Sequence, residues 1–253
     1  MPEAELTWLG QAGFVVRLGD VRLAIDPFLS LHPARIYPPP PLETIGPLDW
    51  VLVTHAHLDH LDLPSLPALL TANPGLRILL PANEAEALAA SLGSSHVVAV
   101  RPGELVELSP EVSVDIIPAY HAEEAADGYG HGDGRFVGYR LLHDGVSIYH
   151  SGDTIVTDEL LAALTGKTVD VALLPVNGRD YFRERAGLVG NLDAREAAML
   201  AAELGARILV PMHWDLFRGN TVQPGAAVNA MAQLPEPLHV FVPARERPIR
   251  LRL

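Results

Sequence analysis

Short apolar runs alternate with polar segments rich in glycine and proline along most of the chain. Apolar, β-branched runs of about four to eight residues bounded by turn residues predict strands. Four such runs precede the residues that carry the chemistry: Trp50 to Thr54, Val112 to Pro118, Val146 to His150 and Arg207 to Val210. Helical segments lie between many of the runs, and this alternation favours a mixed architecture of sheets and helices.

Two helices are predicted from the residues at their ends. Asn83 as N-cap, Glu86 as its capping-box partner and Gly93 as a C-terminal stop predict the first helix. The same pattern is repeated by Asp193, Glu196 and Gly205. Weaker helical patterns cover Pro64 to Thr71, Asp158 to Leu164 and Gly225 to Gln233.

Composition narrows the classes of function. A length of 253 residues suffices for one large domain or two small ones. No apolar run approaches the roughly 20 residues that span a bilayer. Because the N-terminus is acidic where a secretory signal is basic, we expect a cytoplasmic protein without membrane contact. The net charge of -13 and the single lysine, Lys167, weigh against nucleic-acid binding. Without cysteine, His and carboxylate side chains must bind any metal.

The densest chemistry lies directly after the apolar strand that begins at Trp50. Three histidines and an aspartate are concentrated there, namely His55, His57, Asp59 and His60. Neutral imidazole and carboxylate are ligands that suit zinc, manganese or iron, and a turn after a strand can direct them toward two adjacent ions. The alternative interpretation is a histidine-rich surface turn.

The same arrangement recurs further along the chain. His121, Asp153 and His213 each follow shortly after an apolar strand. Strand ends that meet at one edge of a sheet are where layered α/β enzymes build their sites. We therefore expect these three residues to join the first four, and together they supply enough ligands for two ions.

The pattern His-x-His-x-Asp-His at positions 55–60 resembles the signature of the metallo-β-lactamase superfamily. The likeness extends from Trp8–Phe14 to Pro211–Trp214 and so covers most of the chain. It implies an α+β fold, a four-layer αββα sandwich formed by residues 1–253 as one domain, with a metal site at one edge. It also implies two divalent cations, zinc or manganese. The implied ligands are His55, His57 and His121 for one ion, Asp59, His60 and His213 for the other, and Asp153 as the bridging carboxylate.

Within the superfamily, the chain is similar to the ascorbate-6-phosphate lactonase branch at Ile25–Pro27, Thr54–Asp62, Leu174–Asp180 and Pro211–Asp215. This resemblance implies a hydrolase that uses a metal-activated hydroxide on a small lactone or related ester, with or without a phosphate group. A small-molecule partner, anionic in the phosphorylated case, and a homo-oligomer are further expectations. Two alternatives stay open: a metal-dependent phosphodiesterase or nuclease of the same fold, and a metal-binding sensor without turnover.

Asp59 and Asp153 are expected to act in catalysis by orienting the attacking water. For the proton that reaches the leaving oxygen, Asp59, His150 and Asp215 are alternatives. Asp26 and Asp215 are expected to orient the metal ligands without binding the metal themselves, Asp26 by accepting a hydrogen bond from an imidazole. The alternative for Asp26 is a simple turn cap.

Substrate contacts are expected from the loop after the strand Val171 to Val176. Asn177, Arg179 and Asp180 follow that strand, and the guanidinium of Arg179 could bind a carboxylate or phosphate. In the alternative interpretation, Asn177 and Asp180 shape a turn and Arg179 forms an ordinary surface ion pair. Two long loops, 32–47 and 121–135, are interpreted either as covers of the site or as solvated connections.

Overall fold

The computed structural model describes residues 3–122, 128–129, 133–234 and 238–252, which contain fourteen strands and seven α-helices. The strands are β1 (Glu3–Gly10), β2 (Gly13–Leu18), β3 (Val21–Ile25), β4 (Trp50–Leu52), β5 (Arg77–Pro81), β6 (Val97–Val100), β7 (Leu105–Glu107), β8 (Ser113–Pro118), β9 (Val137–His143), β10 (Val146–His150), β11 (Val171–Pro175), β12 (Ile208–Met212), β13 (His239–Val240) and β14 (Pro248–Arg252). The helices are α1 (Leu42–Ile45), α2 (Leu66–Ala72), α3 (Ala82–Leu92), α4 (Asp158–Leu164), α5 (Tyr181–Arg185), α6 (Ala194–Glu203) and α7 (Gly225–Met231).

The strands form two seven-stranded mixed sheets. The first has the order β14-β1-β2-β3-β4-β5-β6 and the second the order β13-β12-β11-β10-β9-β8-β7. The four consecutive strands from β3 to β6 are parallel neighbours in the first sheet, and those from β10 to β13 are parallel neighbours in the second. Strands β4 and β11 are buried at every residue, as expected for strands covered on both faces.

Three apolar clusters separate four layers. The largest cluster lies between the sheets and contains side chains of both, including Trp8, Phe14, Tyr139 and Met212. A second cluster packs α4, α6 and α7 against the outer face of the second sheet. A third packs α1, α2 and α3 against the outer face of the first sheet. The fold is therefore the expected αββα sandwich.

The direction of the strands determines where the polar residues meet. In the first sheet β1, β3 and β4 run the same way, because β1 and β3 are both antiparallel to β2 and β3 is parallel to β4. In the second sheet β8, β10, β11 and β12 share one direction for the same reason. The carboxyl ends of these strands carry the polar residues singled out in the sequence.

The helix predictions are largely confirmed. At α6, Asp193 accepts from the backbone of Glu196 in a capping box, and the chain turns at Gly205 with φ 65°. The predicted N-cap Asn83 is wrong. Helix α3 begins at Ala82, and the side chain of Asn83 donates to Glu84 instead. The reason is tertiary: β5 pairs with β6 up to Pro81, so the helix starts directly where the strand ends.

The two long loops differ in what can be said of them. The 32–47 segment lies against the residues after His213, since Ile36 N donates to Leu216 O at 2.9 Å and Arg35 pairs with Phe217. Much of the 121–135 loop, residues 123–127 and 130–132, lies outside the described residues. Within the part of the chain that is described, no helix combines the length and apolar character needed to cross a bilayer.

Candidate metal centre

The seven predicted ligands lie together at the carboxyl edge of both sheets. They form three groups of three whose donor atoms lie within 4.8 Å of one another. The groups are His55, His57 and His121; His55, His60 and Asp153; and Asp59, His60 and His213. Because the groups share residues, they form one continuous centre rather than separate sites.

Asp153 lies at the middle of this centre. Its Oδ1 is 3.5 Å from His60 Nε2, and its Oδ2 is 3.1 Å from His213 Nε2 and 3.7 Å from His121 Nε2. One carboxylate therefore approaches histidines of both predicted ion sites. Its turn packs closely against the first sheet at Gly152, where a Cβ would lie 2.9 Å from Thr54 Cβ.

The donor set fits divalent cations. His60 Nε2, Asp153 Oδ1 and His121 Nδ1 are buried and have no hydrogen-bond partner among the described residues. A buried polar atom without a partner costs free energy, so such atoms at a site of clustered donors indicate a missing ligand. Imidazole nitrogen and carboxylate oxygen are the donors that zinc and manganese accept. The residues could therefore hold metal ions.

Asp26 determines which nitrogen His60 offers to a cation. The buried Asp26 carboxylate accepts from Thr54 N at 2.8 Å, from Thr54 Oγ1 at 2.7 Å and from His60 Nδ1 at 2.7 Å. Since a carboxylate can only accept, His60 carries its hydrogen on Nδ1 and presents Nε2 to the centre. The contact that the sequence predicted for Asp26 is present.

Thr54 determines in the same way which ring nitrogen of His55 carries the hydrogen. Its hydroxyl donates to Asp26, so its lone pair can accept from His55 Nδ1 at 3.0 Å. His55 Nε2 then keeps its lone pair and lies 2.9 Å from His57 Nδ1. Two nitrogens at this separation need a proton or a cation between them. This pair can therefore be satisfied either by a hydrogen on His57 Nδ1 or by a cation.

The carboxylates make the centre attractive to positive charge. Burial disfavours a charged His60, but Asp153, Asp26 and Asp59 outweigh it and raise the pKa of His60 to about 9. Burial likewise opposes charge on His213, yet Asp153 and Asp59 raise its pKa well above the usual value. Without a cation, protons on these imidazoles balance the carboxylates. A divalent ion would replace those protons.

The opposite shift occurs in the histidine group. Burial lowers the pKa of His121 to about 3, and the neighbouring His57 adds to this effect. Burial also lowers the pKa of His55, helped by His60 and His57. These imidazoles are therefore neutral at physiological pH, which is the form that binds a metal.

One side of the centre is open. The side chain of Asp59 is 13% exposed, and His57 is partly exposed beside the exposed Leu58. The wall of the first group is the buried Phe136, whose ring centroid lies 5.3 Å from that of His55 and 5.4 Å from that of His121. His57 and Asp59 are therefore the most exposed of the seven predicted ligands.

Asp215 is connected to the centre through the backbone of Gln11. Its Oδ1 accepts from Gln11 N at 3.0 Å, and its Oδ2 accepts from the hydroxyl of Tyr37 in the 32–47 segment. Burial raises the pKa of Asp215. The residue thus joins that segment to the strand end that carries Gln11.

His150 is engaged in structural hydrogen bonds at both nitrogens. The fully buried ring approaches Ala12 O at 2.8 Å through Nε2 and accepts from Gly152 N at 3.1 Å through Nδ1. Its one hydrogen is therefore given to a backbone carbonyl. This geometry disfavours His150 as the proton donor and leaves it shaping the turn that carries Asp153.

The three predicted substrate contacts have internal partners. The buried Asn177 donates to Asn220 Oδ1 at 3.1 Å. Both terminal nitrogens of Arg179 pair with Glu196 at 2.7 Å. Asp180 caps α5. These are the turn and ion-pair contacts of the alternative interpretation, and a role in substrate binding stays a prediction.

Three residues at the centre had no role in the sequence interpretation: Gln11, Thr54 and Phe136. Thr54 and Phe136 are recognised only by their contacts. A signal did exist for Gln11, because it follows β1 as Asp26 follows β3, and both strands end at the same edge. Gln11 Nε2 donates to Asp59 Oδ2 at 2.8 Å.

Comparison with solved structures supports the fold. Igni18, a metallo hydrolase from Ignicoccus hospitalis, is 21% identical, with a TM-score of 0.75 and 99% of both chains covered. An isothiocyanate hydrolase from Delia radicum gut bacteria is 17% identical, with a TM-score of 0.74, and the match covers 97% of this chain and 98% of that one. At these identities the likeness concerns the fold alone.

Sequence comparison shows the family. A family model described as a β-lactamase superfamily domain matches residues 21–214. A UPF0173 metal-dependent hydrolase from Pyrococcus furiosus is 34% identical over 226 residues, covering 88% of each chain. Further relatives are also named metal-dependent hydrolases. The chain therefore belongs to the metallo-β-lactamase superfamily, among the UPF0173 metal-dependent hydrolases.

Proposed function

We propose that the protein hydrolyses a small lactone or related ester, with or without a phosphate group, at a centre of two divalent cations, zinc or manganese. The observation that carries the proposal is the overlap of the three donor groups at His55 and His60, with the Asp153 carboxylate within 3.7 Å of His60, His121 and His213. His55, His57 and His121 would hold one cation, and Asp59, His60 and His213 the other. Asp153 would contact both.

The cations, when bound, would lower the pKa of water from about 15.7 toward about 7 and stabilise negative charge on a carbonyl oxygen. Side chains of the protein orient the ligands and exclude water. Asp26 and Thr54 keep the Nε2 atoms of His60 and His55 directed at the centre. Phe136 excludes water from the side of His55 and His121.

Asp59 is our candidate for orienting the attacking water and for moving its proton. Its carboxylate is partly exposed at the open side, whereas Asp153 is buried. A base must lie within hydrogen-bond reach of the proton it takes, so the carboxylate nearest the entering substrate is the better placed of the two. Asp59 would accept the proton from water and return it to the leaving oxygen. Asp153 would keep the water in place.

Charge and composition support a small substrate. A net charge of -13 with one lysine disfavours a long polyanion, whose binding needs clustered basic side chains. The lactone and the ester are supported by the resemblance at Leu174–Asp180 and Pro211–Asp215. A homo-oligomer and a cytoplasmic location stay predictions.

The test combines elemental analysis with a hydrolase panel. The purified chain, reconstituted with zinc or manganese, is assayed on lactones, carboxylic esters, bis-nitrophenyl phosphate and an isothiocyanate, the last because one fold relative is named for that activity. Two ions per chain and turnover of a lactone or ester are expected. Turnover of the phosphodiester alone would favour the phosphodiesterase, and turnover of none would favour a metal-binding sensor.

A matched pair of variants links activity to the centre. His57→Ala removes a predicted ligand from the open side, and we expect loss of hydrolysis with a folded protein. His239→Ala makes the same chemical change at an exposed position of the edge strand β13 and should leave activity unchanged. Equal activity of the two variants would contradict the assignment of His57.

A further inference from the structure

We propose that Gln11 positions Asp59 and His213 for the second cation. The inference rests on the two-cation centre of the proposed function and adds a residue from the opposite end of the chain. Gln11 is nearly completely buried, at 2% exposure, and its carboxamide contacts two predicted ligands of the same ion, Asp59 and His213. A buried amide is placed in this way only if the surrounding structure constrains it.

Three distances define the arrangement. Gln11 Nε2 lies 2.8 Å from Asp59 Oδ2 and 3.0 Å from His213 Nε2, and these two ligand atoms are 3.5 Å apart. Two ligands that are each about 2.1 Å from a tetrahedral ion lie about 3.4 Å from each other. Asp59 Oδ2 and His213 Nε2 therefore have the separation that one shared cation requires, and Gln11 contacts both.

The contacts differ in kind. The amide nitrogen donates to Asp59 Oδ2, since a carboxylate oxygen accepts. It lies 3.0 and 3.3 Å from the two ring nitrogens of His213, so it lies alongside the ring rather than on one lone pair. Gln11 thus fixes the rotation of the Asp59 carboxylate through a hydrogen bond and that of the His213 ring through contact.

The backbone of Gln11 is part of the same arrangement. Gln11 O accepts from His213 N at 3.0 Å, so the strand end of one sheet is bonded to the ligand of the other. Gln11 and His213 both have positive φ, 53° and 61°. Side chains other than glycine rarely adopt this region, and such residues concentrate at functional sites. The strain is consistent with a position selected for its side chain.

The experiment measures metal binding directly. Gln11→Met keeps the length of the side chain and removes the donor. Partners of metal ligands are typically worth 10- to 100-fold in metal affinity, so we expect a loss of roughly that size at one of the two ions. The number of ions per chain is measured by elemental analysis, and the affinity for zinc and manganese by competition with a chelator. The melting temperature of the metal-free protein is measured alongside.

Two further variants separate positioning from folding. Gln11→Gly removes the side chain but relieves the positive φ, which offsets part of the stability lost with the buried hydrogen bond to Asp59, while metal affinity falls. Asn73→Leu removes a buried amide that bonds Leu48 N and Leu69 O away from the centre. This control should lower the melting temperature and leave metal affinity unchanged.

The outcomes distinguish the inference from the function beneath it. Selective loss of one ion in both Gln11 variants, with the control unchanged, supports the inference. Wild-type affinity in Gln11→Met and Gln11→Gly, in an enzyme that binds two ions and turns over, overturns the inference alone. A wild-type chain that takes up no ion overturns the proposed function together with it.

Discussion

Asp26 is the residue through which a ligand histidine can be perturbed without being removed. Its carboxylate accepts three hydrogen bonds, one at Oδ1 from Thr54 N and two at Oδ2 from Thr54 Oγ1 and His60 Nδ1. The substitution Asp26→Asn keeps the shape and replaces one acceptor with a donor. The amide nitrogen should take the Oδ1 position, because this orientation loses one hydrogen bond and the other would lose two.

The magnitude follows from that count. One hydrogen bond to a charged group is lost, at a cost of about 1.5 to 3 kcal/mol, and the bond to His60 persists with a neutral partner. At roughly 2 to 4 °C per kcal/mol for a protein of this size, we expect a fall of about 3 to 12 °C in Tm. Because His60 is held less firmly, metal affinity should fall by about tenfold, the lower end of the range for such partners.

The matched control is Asp62→Asn. Asp62 is also buried and accepts three hydrogen bonds, from Leu29 N, Ser30 N and Ser30 Oγ, but these fix a loop. Asp62→Asn should lose no more stability than Asp26→Asn in thermal unfolding of the metal-free protein, because an amide at the Oδ1 position can donate to Ser30 Oγ. Only Asp26→Asn should lose metal affinity in chelator competition. Equal affinities in the two variants would refute the reasoning that Asp26 acts on the centre through His60.

Three further predictions concern pH, packing and the predicted substrate loop. The raised pKa of His60, about 9, stabilises the metal-free fold fully below a pH of about 6.5, and this contribution is lost as the pH rises toward 9. Metal binding must displace that proton and the one on His213, so affinity measured from pH 6 to 9 should rise by at least about tenfold per unit, and a flat profile would contradict this. Gly152→Ala places a Cβ 2.8 Å from a carbonyl oxygen and should reduce metal uptake, whereas Gly166→Ala, also at positive φ but with open space around it, should not. Arg179→Ala and Glu196→Ala should each destabilise the fold by about 1 kcal/mol in chemical denaturation. A rise in KM for the arginine variant alone would support its predicted role in substrate binding.

The ligands could be predicted because their signals are local. His55 to His60 form a dense motif directly after an apolar strand, and His121, Asp153 and His213 follow strands in the same way. The rule that parallel strand ends meet at one edge then brings distant positions together. The capping box at Asp193 is local as well, since its partners are three residues apart.

The remaining features depend on contacts between distant parts of the chain. Gln11 reaches Asp59 across 48 positions and His213 across 202, and no local pattern carries that information. The internal partners of Arg179 depend on how α6 docks beside its loop. The start of α3 at Ala82 depends on the pairing of β5 with β6, which overrides the cap predicted at Asn83.

The predicted ligands come from both halves of the sandwich. His55 to His60 belong to the first sheet, and His121, Asp153 and His213 to the second. Cations bound between the two sheets would stabilise their association, because the binding free energy is gained only in the folded state. A chain in which only one half has folded would have half a set of ligands. The full set of seven donors is therefore present only where both sheets have come together.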